Sequence, residues 1–158
     1  MELTNQLAKN FRDVLSGGNW TAVNLKDTLA DVEWQEATTK VHSLNTIASL
    51  VFHMNYYVTA ILSVLESTPL TASDKFSFDH PPIQSKEDWK NLLNKTRTDA
   101  EKLASFIEQL PESKLWEDFW KNKYGNWYRN IQGITEHYHY HLGQIVLIKK
   151  IIRHADKD

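Results

Sequence analysis

Apolar residues recur three or four positions apart along four long stretches of this chain, which is the period of an amphipathic helix. The stretches run from about Glu2 to Leu15, Ser43 to Glu66, Ser85 to Leu110 and Tyr128 to His154. A shorter helix is predicted near Asn24–Val32. The pattern therefore predicts an all-α protein with four principal helices.

Two of the four stretches carry an apolar seam in which gaps of three and four alternate without a break, as in helix bundles. The seam of the second stretch is Leu44, Ile47, Val51, Met54, Val58, Ile61 and Leu65. The seam of the fourth is Ile131, Ile134, Tyr138, His141, Ile145, Ile148 and Ile152. Both helices are predicted to bury these faces in a shared core.

Four helices that hide their apolar faces from water indicate a four-helix bundle, here a single domain over residues 1–158. The connection 67–84 is long for a hairpin between neighbouring helices. A 24-residue helix is about 36 Å long, and eighteen extended residues reach up to about 60 Å. The connections are long, and the third helix can therefore start parallel to the second.

The stretch HYHYHLGQI, residues 137–145, allows three interpretations: a metal site on a helix, a half-buried strand, or a core that tolerates imidazole. The helical period on both sides excludes the strand. In the helical phase His137 and His141 face inward, four residues apart, and His139 faces the opposite side, toward water. Two imidazoles at this spacing reach a common point.

His53 is the third candidate ligand, because it borders the apolar seam of the second helix. Three histidines from two helices would form a nitrogen set that suits zinc, nickel, copper or iron(II). Three protein ligands leave coordination positions open, which is the catalytic pattern. The alternative is a set of hydrogen-bonded core histidines. His42, His80 and His154 lie in loops or at the terminus, and no role is expected for them.

Composition narrows the function classes. The chain has no cysteine, which excludes disulfides, cysteine ligands and a cysteine nucleophile. The net charge of −2 argues against nucleic-acid binding. The polar N-terminus and the shortness of the apolar stretches predict a cytoplasmic protein without a membrane span. Six tryptophans are a large load for one small core and favour a homodimer.

Several other residues border the predicted site and leave two interpretations open. The segment WEDFWKNKYGNW, residues 116–127, forms either an aromatic wall over a pocket or a plug at the bundle end. Tyr57 and Tyr138 either line a pocket or belong to the core. Glu136 and Asp118 are near the histidines in sequence, but neither is placed as a general base. Gly143, a helix-interior glycine, allows close helix approach or ligand access, or faces solvent without a role.

The chain resembles the DinB-like (DinB/YfiT) superfamily of metal-binding four-helix-bundle proteins of bacteria. Three segments carry the resemblance: SLVFHMNYY around His53, HYHYHLGQI, and NWTAVNLKDTLADV before the second helix. The resemblance spans nearly the whole chain. It implies an up-down-down-up bundle, a nickel or zinc ion held by His53, His137 and His141, and often a homodimer.

The resemblance also implies a thiol-dependent S-transferase in which the metal activates a low-molecular-weight thiol. Relatives often carry arginine where this chain has Leu142, so one anion contact is missing here. The alternatives are a metal-dependent hydrolase that uses metal-bound hydroxide, and a non-enzymatic stress-response or ligand-binding module. In each case a small molecule is the expected partner. Neutral imidazoles bind the metal, so release is expected as pH falls toward about 6 or below.

Overall fold

The computed structural model describes residues 2–155; residue 1 and residues 156–158 of the predicted domain lie outside this range. The α-helices are α1 (Leu3–Ser16), α2 (Leu25–Leu29), α3 (Trp34–Thr38), α4 (Ile47–Leu65), α5 (Lys86–Gln109) and α6 (Trp127–Ala155). Two 3₁₀-helices span Asp74–Phe76 and Glu112–Trp116. Within residues 2–155 the only extended pairing is an isolated bridge between Asp118 and Asn126. The described chain is therefore all-helical, as predicted.

Three of the four long helices begin and end within one residue of the predicted positions, namely α1, α5 and α6. Two of them have a strong boundary signal in the sequence. Ser85 caps α5, where its hydroxyl accepts a hydrogen bond from the backbone N–H of Asp88 at 3.1 Å. Gly17, with φ of +110°, ends α1 in a backbone conformation that favours glycine.

The predicted start of the second long helix, at Ser43, is wrong. The chain first makes a turn in which the Leu44 N–H donates to the Val41 carbonyl at 2.9 Å, and His42 adopts φ of +47°. The helix begins only after Thr46, whose hydroxyl accepts from the Ser49 N–H at 3.1 Å. Leu44 consequently lies outside the helix and is 41% exposed.

The two short helices between α1 and α4 were only partly predictable. The predicted helix near Asn24–Val32 is the five-residue α2, and α3 was not predicted. Five residues make too few turns to show a period. Contacts from the end of α6 fix both helices: Lys149 donates to the Thr28 carbonyl of α2 at 2.6 Å, and Arg153 forms an ion pair with Glu36 of α3 at 2.7 Å.

The core is built by the predicted seams. Every seam residue of α6 is buried, and so are five seam residues of α4. These are Ile131, Ile134, Tyr138, His141, Ile145, Ile148 and Ile152, with Ile47, Val51, Met54, Val58 and Ile61. Tyr138 belongs to this core, where its ring packs edge-on against Phe11 with centroids 5.2 Å apart. His141 is thus a polar residue in an otherwise apolar face.

Polar contacts tie the long helices together in pairs. Between α1 and α5, Arg12 forms ion pairs with Glu101 and Glu108. Between α4 and α5, the Asn55 side-chain amide donates to Asp99 at 2.9 Å. These pairs lie at the margins of the core, where partial exposure to water limits what each contributes to stability.

The long connection between α4 and α5 packs back onto α4. The Tyr56 hydroxyl bonds to the N–H and the carbonyl of Ser73, at 2.8 and 3.0 Å. The Tyr57 hydroxyl donates to Asp74 at 2.6 Å. Further along, Ser49 and His80 lie 3.1 Å apart, within hydrogen-bonding distance. The connection is therefore anchored at several points along one face of α4.

One described helix, α4, is long and apolar enough to cross a membrane by length and composition, with a mean hydropathy of 1.4 in its best window. The expectation that every apolar stretch is too short is therefore wrong for this helix. Just over half of that window, 56%, is buried inside the protein. A core helix meets the same criteria, so this observation is weak evidence for a membrane span.

Gly143 is exposed in the middle of α6, and an added Cβ would meet nothing within 4 Å. Replacing Gly143 with alanine should therefore raise the free energy of unfolding by about 0.5–1 kcal/mol, since glycine loses more backbone entropy on folding. Urea denaturation measures the change. Gly125→Ala is the contrasting control: its φ is +76° and its Cβ would lie 3.1 Å from Arg129, so it should destabilise. A destabilising Gly143→Ala would instead show that something packs closely at this position.

Candidate metal centre

Three histidines that are distant in sequence meet between α4 and α6. The Nε2 atom of His137 lies 3.1 Å from Nε2 of His53 and 3.0 Å from Nε2 of His141. One ligand atom from each ring lies within 4.8 Å of the others. These are the three residues predicted as ligands, and the structure places them close enough to hold one metal ion.

The helical phases explain this convergence. His137 and His141 are four residues apart on α6, so their side chains stand above one another on one face. His53 projects from the edge of the apolar face of α4 and is only 7% exposed. The ring centroids of His53 and His141 are 4.7 Å apart.

Two of the rings are oriented by hydrogen bonds on their far sides. His53 Nδ1 lies 3.3 Å from the Ser77 carbonyl oxygen, and His141 Nδ1 lies 2.8 Å from Gln144 Oε1. Both oxygens are acceptors, so each Nδ1 carries the proton. The Nε2 atoms of these rings therefore present lone pairs to the centre of the cluster, the arrangement that metal-binding histidines use.

The third ring, His137, cannot donate a hydrogen bond to both neighbouring histidines. A neutral His137 has one proton to donate, whereas two Nε2 lone pairs lie within 3.1 Å of its own Nε2. Its Nδ1 is buried and has no partner among residues 2–155. That proton can be directed at only one of the two lone pairs, so the other Nε2 is left without a donor, which is unfavourable unless a positive ion lies between the nitrogens.

Two of the three nitrogen separations fit a single ion. Two nitrogens bound at 2.0–2.1 Å to one metal stand about 2.8–3.4 Å apart, for angles between 90° and the tetrahedral value. The observed separations of 3.0 and 3.1 Å fall in this range. These two separations suit zinc and nickel equally, since imidazole nitrogen binds both metals. The ligand atoms of His53 and His141 lie within 4.8 Å of each other.

Burial keeps the three imidazoles neutral at pH 7. It lowers the pKa of His53 to about 4, and the nearby His141 contributes. Burial also lowers the pKa of His137 to about 4, with further contributions from His141 and His53. The pKa of His141 is lowered by burial as well. Neutral imidazole is the metal-binding form, so protons compete with a metal ion for these nitrogens only in acid.

Comparison of the chain with protein families, curated proteins and solved structures finds no match to any of the three. The three-histidine cluster is therefore the feature on which a functional assignment depends.

Aromatic rings from the long connection and from α4 enclose the cluster. Phe78 stacks on His53 with centroids 3.9 Å apart and planes 7° from parallel. Tyr57 meets His53 and His137 edge-on, at 5.1 Å from each. Burial raises the pKa of Tyr57 to about 12, as does its hydrogen bond to Asp74. Tyr57 is therefore a protonated donor at neutral pH.

A cavity of about 530 Å³ opens beside His53 and His137. Its walls carry charged or polar side chains from three segments: Tyr57, Asp74, Arg129, Asn130 and Glu136. The apolar part of the lining is Ala60, Ile61, Leu70, Ala72, Phe119, Tyr124 and Ile134. A larger groove of about 1120 Å³ lies between α1, α2 and α5, but none of the three histidines lines it.

Some of the residues whose role the sequence left undecided line the cavity, and others belong to the core. Tyr57 and Glu136 line the cavity, whereas Tyr138 is core and Asp118 accepts a hydrogen bond from the Asn122 N–H. The segment 116–127 serves both interpretations, since Phe119 and Tyr124 line the cavity and the buried Trp127 packs against Phe119. His139 is half-buried rather than fully in water, and it is not part of the cluster.

Sequence reasoning missed the contributions of the long connection. Asp74, Ser77 and Phe78 contact Tyr57 or His53, yet no period or spacing marks a residue in a segment without regular structure. Gln144 had a signal, because it follows His141 by three positions on the same helix. An amide at that spacing can reach the imidazole.

Proposed function

We propose that this protein is a DinB-like enzyme in which His53, His137 and His141 hold one divalent ion, nickel or zinc, and that it acts as a thiol-dependent S-transferase. The supporting observation is the convergence of three imidazole nitrogens beside an open cavity. A bound divalent ion lowers the pKa of a coordinated thiol or water and so supplies a nucleophile near neutral pH.

The chain's own residues prepare the site for a reactant from outside. Three protein ligands leave coordination positions free, and the cavity reaches His53 and His137. The chain has no cysteine, so a sulfur nucleophile has to arrive as a cosubstrate. Asp74 lines the same cavity and offers a carboxylate that can accept the proton a thiol or water loses.

Hydrolysis is the second candidate function, and the carboxylates favour it. Asp74 and Glu136 both line the cavity with the histidines, which is the arrangement needed to orient a water molecule and take its proton. In that case the open coordination positions would hold water, and no thiol would be required.

Metal analysis followed by two activity screens distinguishes these functions. Purified protein is expected to contain about one equivalent of nickel or zinc, and metal-stripped protein to regain activity when the ion is restored. Consumption of an aryl chloride or an epoxide should depend on added small thiol and saturate with it. Asp74→Asn should reduce turnover and leave the metal content unchanged.

Three other outcomes point elsewhere. Ester hydrolysis without thiol would replace the transferase by the hydrolase. A metal-loaded protein without either activity would favour the binding module. A protein that takes up neither nickel nor zinc would contradict the proposal at its first step.

We propose that the four long helices form an up-down-down-up bundle. Leu3 bonds to Glu112 and Arg12 pairs with Glu101, which supports an antiparallel α1 and α5. The pairs Asn55–Asp99 and Glu66–Lys102 support a parallel α4 and α5. His53 lies beside His141, and Tyr57 beside His137, which supports an antiparallel α4 and α6.

We propose a homodimer on the strength of the resemblance and of the exposed aromatic residues. Trp20 is fully exposed and Trp116 more than half exposed in one chain, and large apolar side chains in water favour association. Light scattering at micromolar concentration is expected to give twice the mass of one chain. A monomer mass over that range would contradict this proposal.

A further inference from the structure

The cavity beside the histidines has a cation at its other end. Arg129, Gly133 and His137 all line it, at intervals of four residues along α6. Residues at this spacing share one face of a helix. Eight residues separate Arg129 from His137, or about 12 Å along the helix axis. The cavity therefore runs along α6 from the histidines toward the arginine.

The middle of this path is open and mostly apolar. Gly133 has no side chain, and an added Cβ would meet nothing within 4 Å. The neighbouring walls are formed by Ile61, Leu70, Phe119 and Ile134. A slender apolar chain laid along α6 would contact these walls without displacing protein atoms.

Arg129 is held in place but is not neutralised by the protein. Its Nη1 donates to the Tyr124 carbonyl at 3.0 Å, and its own backbone N–H donates to Asn126 Oδ1 at 2.9 Å. Within residues 2–155 no carboxylate lies within salt-bridge distance of its guanidinium. Most of its N–H donors are thus available to an anion.

The distribution of charge gives the cavity a direction. Asp74 and Glu136 line it together with the histidines, and their charges offset that of a divalent ion there. Arg129 carries a positive charge without such an offset. A carboxylate on a ligand therefore gains most at the Arg129 end, where the planar guanidinium can bind both of its oxygens.

We propose that this cavity binds an elongated amphipathic acid, with a metal-binding donor at one end and a carboxylate at Arg129. This inference rests on the proposed metal centre and specifies the ligand class of that site. The two ends are separated by a slender apolar segment that crosses Gly133. Short acids cannot reach both ends, so the cavity should discriminate between acids by the length of their chain.

Mercapto acids of increasing length test this in the cobalt(II)-loaded protein. Thiolate binding to cobalt gives a near-ultraviolet charge-transfer band, so affinity is read without any turnover. The probes are 3-mercaptopropionate, 6-mercaptohexanoate and 8-mercaptooctanoate, each compared with the mercapto alcohol of equal length. The carboxylate should improve the affinity of the longer probes about three- to tenfold, and that of the shortest hardly at all.

Variants of the protein test whether Arg129 causes the preference for the acid over the alcohol. Arg129→Gln should abolish the preference for the acid, and Arg129→Lys should retain part of it. Lys123→Gln removes a nearby surface charge outside the cavity and should change nothing. Gly133→Leu fills the path, so it should weaken the long probes while cobalt affinity and the binding of 3-mercaptopropionate persist.

The possible failures are distinguishable. If cobalt binds but acid and alcohol bind equally at every length, or if Arg129→Gln keeps the preference, this inference is overturned and the metal centre stands. If cobalt does not bind, the metal centre is overturned and this inference with it.

Discussion

Replacing His141 with alanine is expected to lower the affinity for zinc or nickel by more than about 100-fold, whereas replacing His139 leaves it unchanged. His141 supplies one of three converging Nε2 atoms, and two imidazoles alone make a weak site. His139 is on the same helix, only two residues away, but is not part of the cluster. Calorimetric titration of metal-stripped protein measures both affinities.

A graded variant strengthens this comparison. Gln144→Ala removes the amide that orients the His141 ring and should weaken binding by about 10–100-fold. Circular dichroism should show equal helix content in all three variants. Equal loss of affinity in the His139 and His141 variants would mean that the ion binds elsewhere.

The metal-free protein is expected to lose stability as the pH falls from about 6.5 to about 4. His53 and His137 have a pKa of about 4 in the folded state, against about 6.5 in an unfolded chain. Above pH 6.5 both states are neutral and folding is unaffected. Between the two pKa values only the unfolded state binds protons, so the folded state becomes progressively less favoured. Below about pH 4 the effect is complete.

The expected loss is about 3–4 kcal/mol for each ring, since its pKa differs by about 2.5 between the folded and unfolded states and one pKa unit corresponds to about 1.4 kcal/mol. Urea denaturation at pH 7 and pH 4.5, with a chelator present, measures it. Carboxylates titrate in the same range, so the informative quantity is a difference between variants. His137→Gln should show a weaker pH dependence than the natural chain, and His139→Gln the same dependence. Indistinguishable curves for all three proteins would contradict the burial argument.

The same pKa values shift the expected pH of metal release. The sequence predicted release as pH falls toward about 6 or below, from ordinary imidazole values. Because burial lowers the pKa of His53 and His137 to about 4, protons compete effectively only closer to that value. Release is therefore expected nearer pH 4 to 5 than pH 6.

The sequence predicted best the features that repeat along a helix. The seam of α6 holds through seven positions, and one misplaced residue would have broken the alternation of three and four. That redundancy placed His137 and His141 on the inner side of the helix. His53 was harder to predict, because it only borders the seam of α4; it joined the set because it lies next to the apolar face of that helix and because the resemblance implies it as a ligand.

Features fixed by single contacts were not predictable. The start of α4 depends on a turn at Val41–Leu44 and on the Thr46 cap, whereas the apolar spacing of Leu44 continued the helical pattern. Helix α3 is five residues long and is held by Arg153 from the far end of the chain. Such contacts between distant residues leave no period in the sequence.

The surroundings of the three histidines show the same limit. Phase along one helix predicts which side chains share a face, but it says nothing about what a loop brings to them. Ser77 and Phe78 contact His53 because Tyr56 and Tyr57 anchor the connection to α4. Those anchors are hydrogen bonds from tyrosine hydroxyls to an irregular segment, and no regular spacing in the sequence predicts them.

The contact between the connection and His53 has a thermodynamic consequence. The Ser77 carbonyl and the Phe78 ring hold His53 in the orientation that an ion requires, so ordering this segment and binding the ion favour one another. Coupling of this kind is reciprocal. An ion that orders His53 also orders residues 73–78, and a change that makes this segment less ordered weakens the binding of the ion. The affinity of this site for an ion would thus be set partly by the chain entropy of a connection that contributes no histidine to it, and insertions there would change that affinity while all three histidines stay in place.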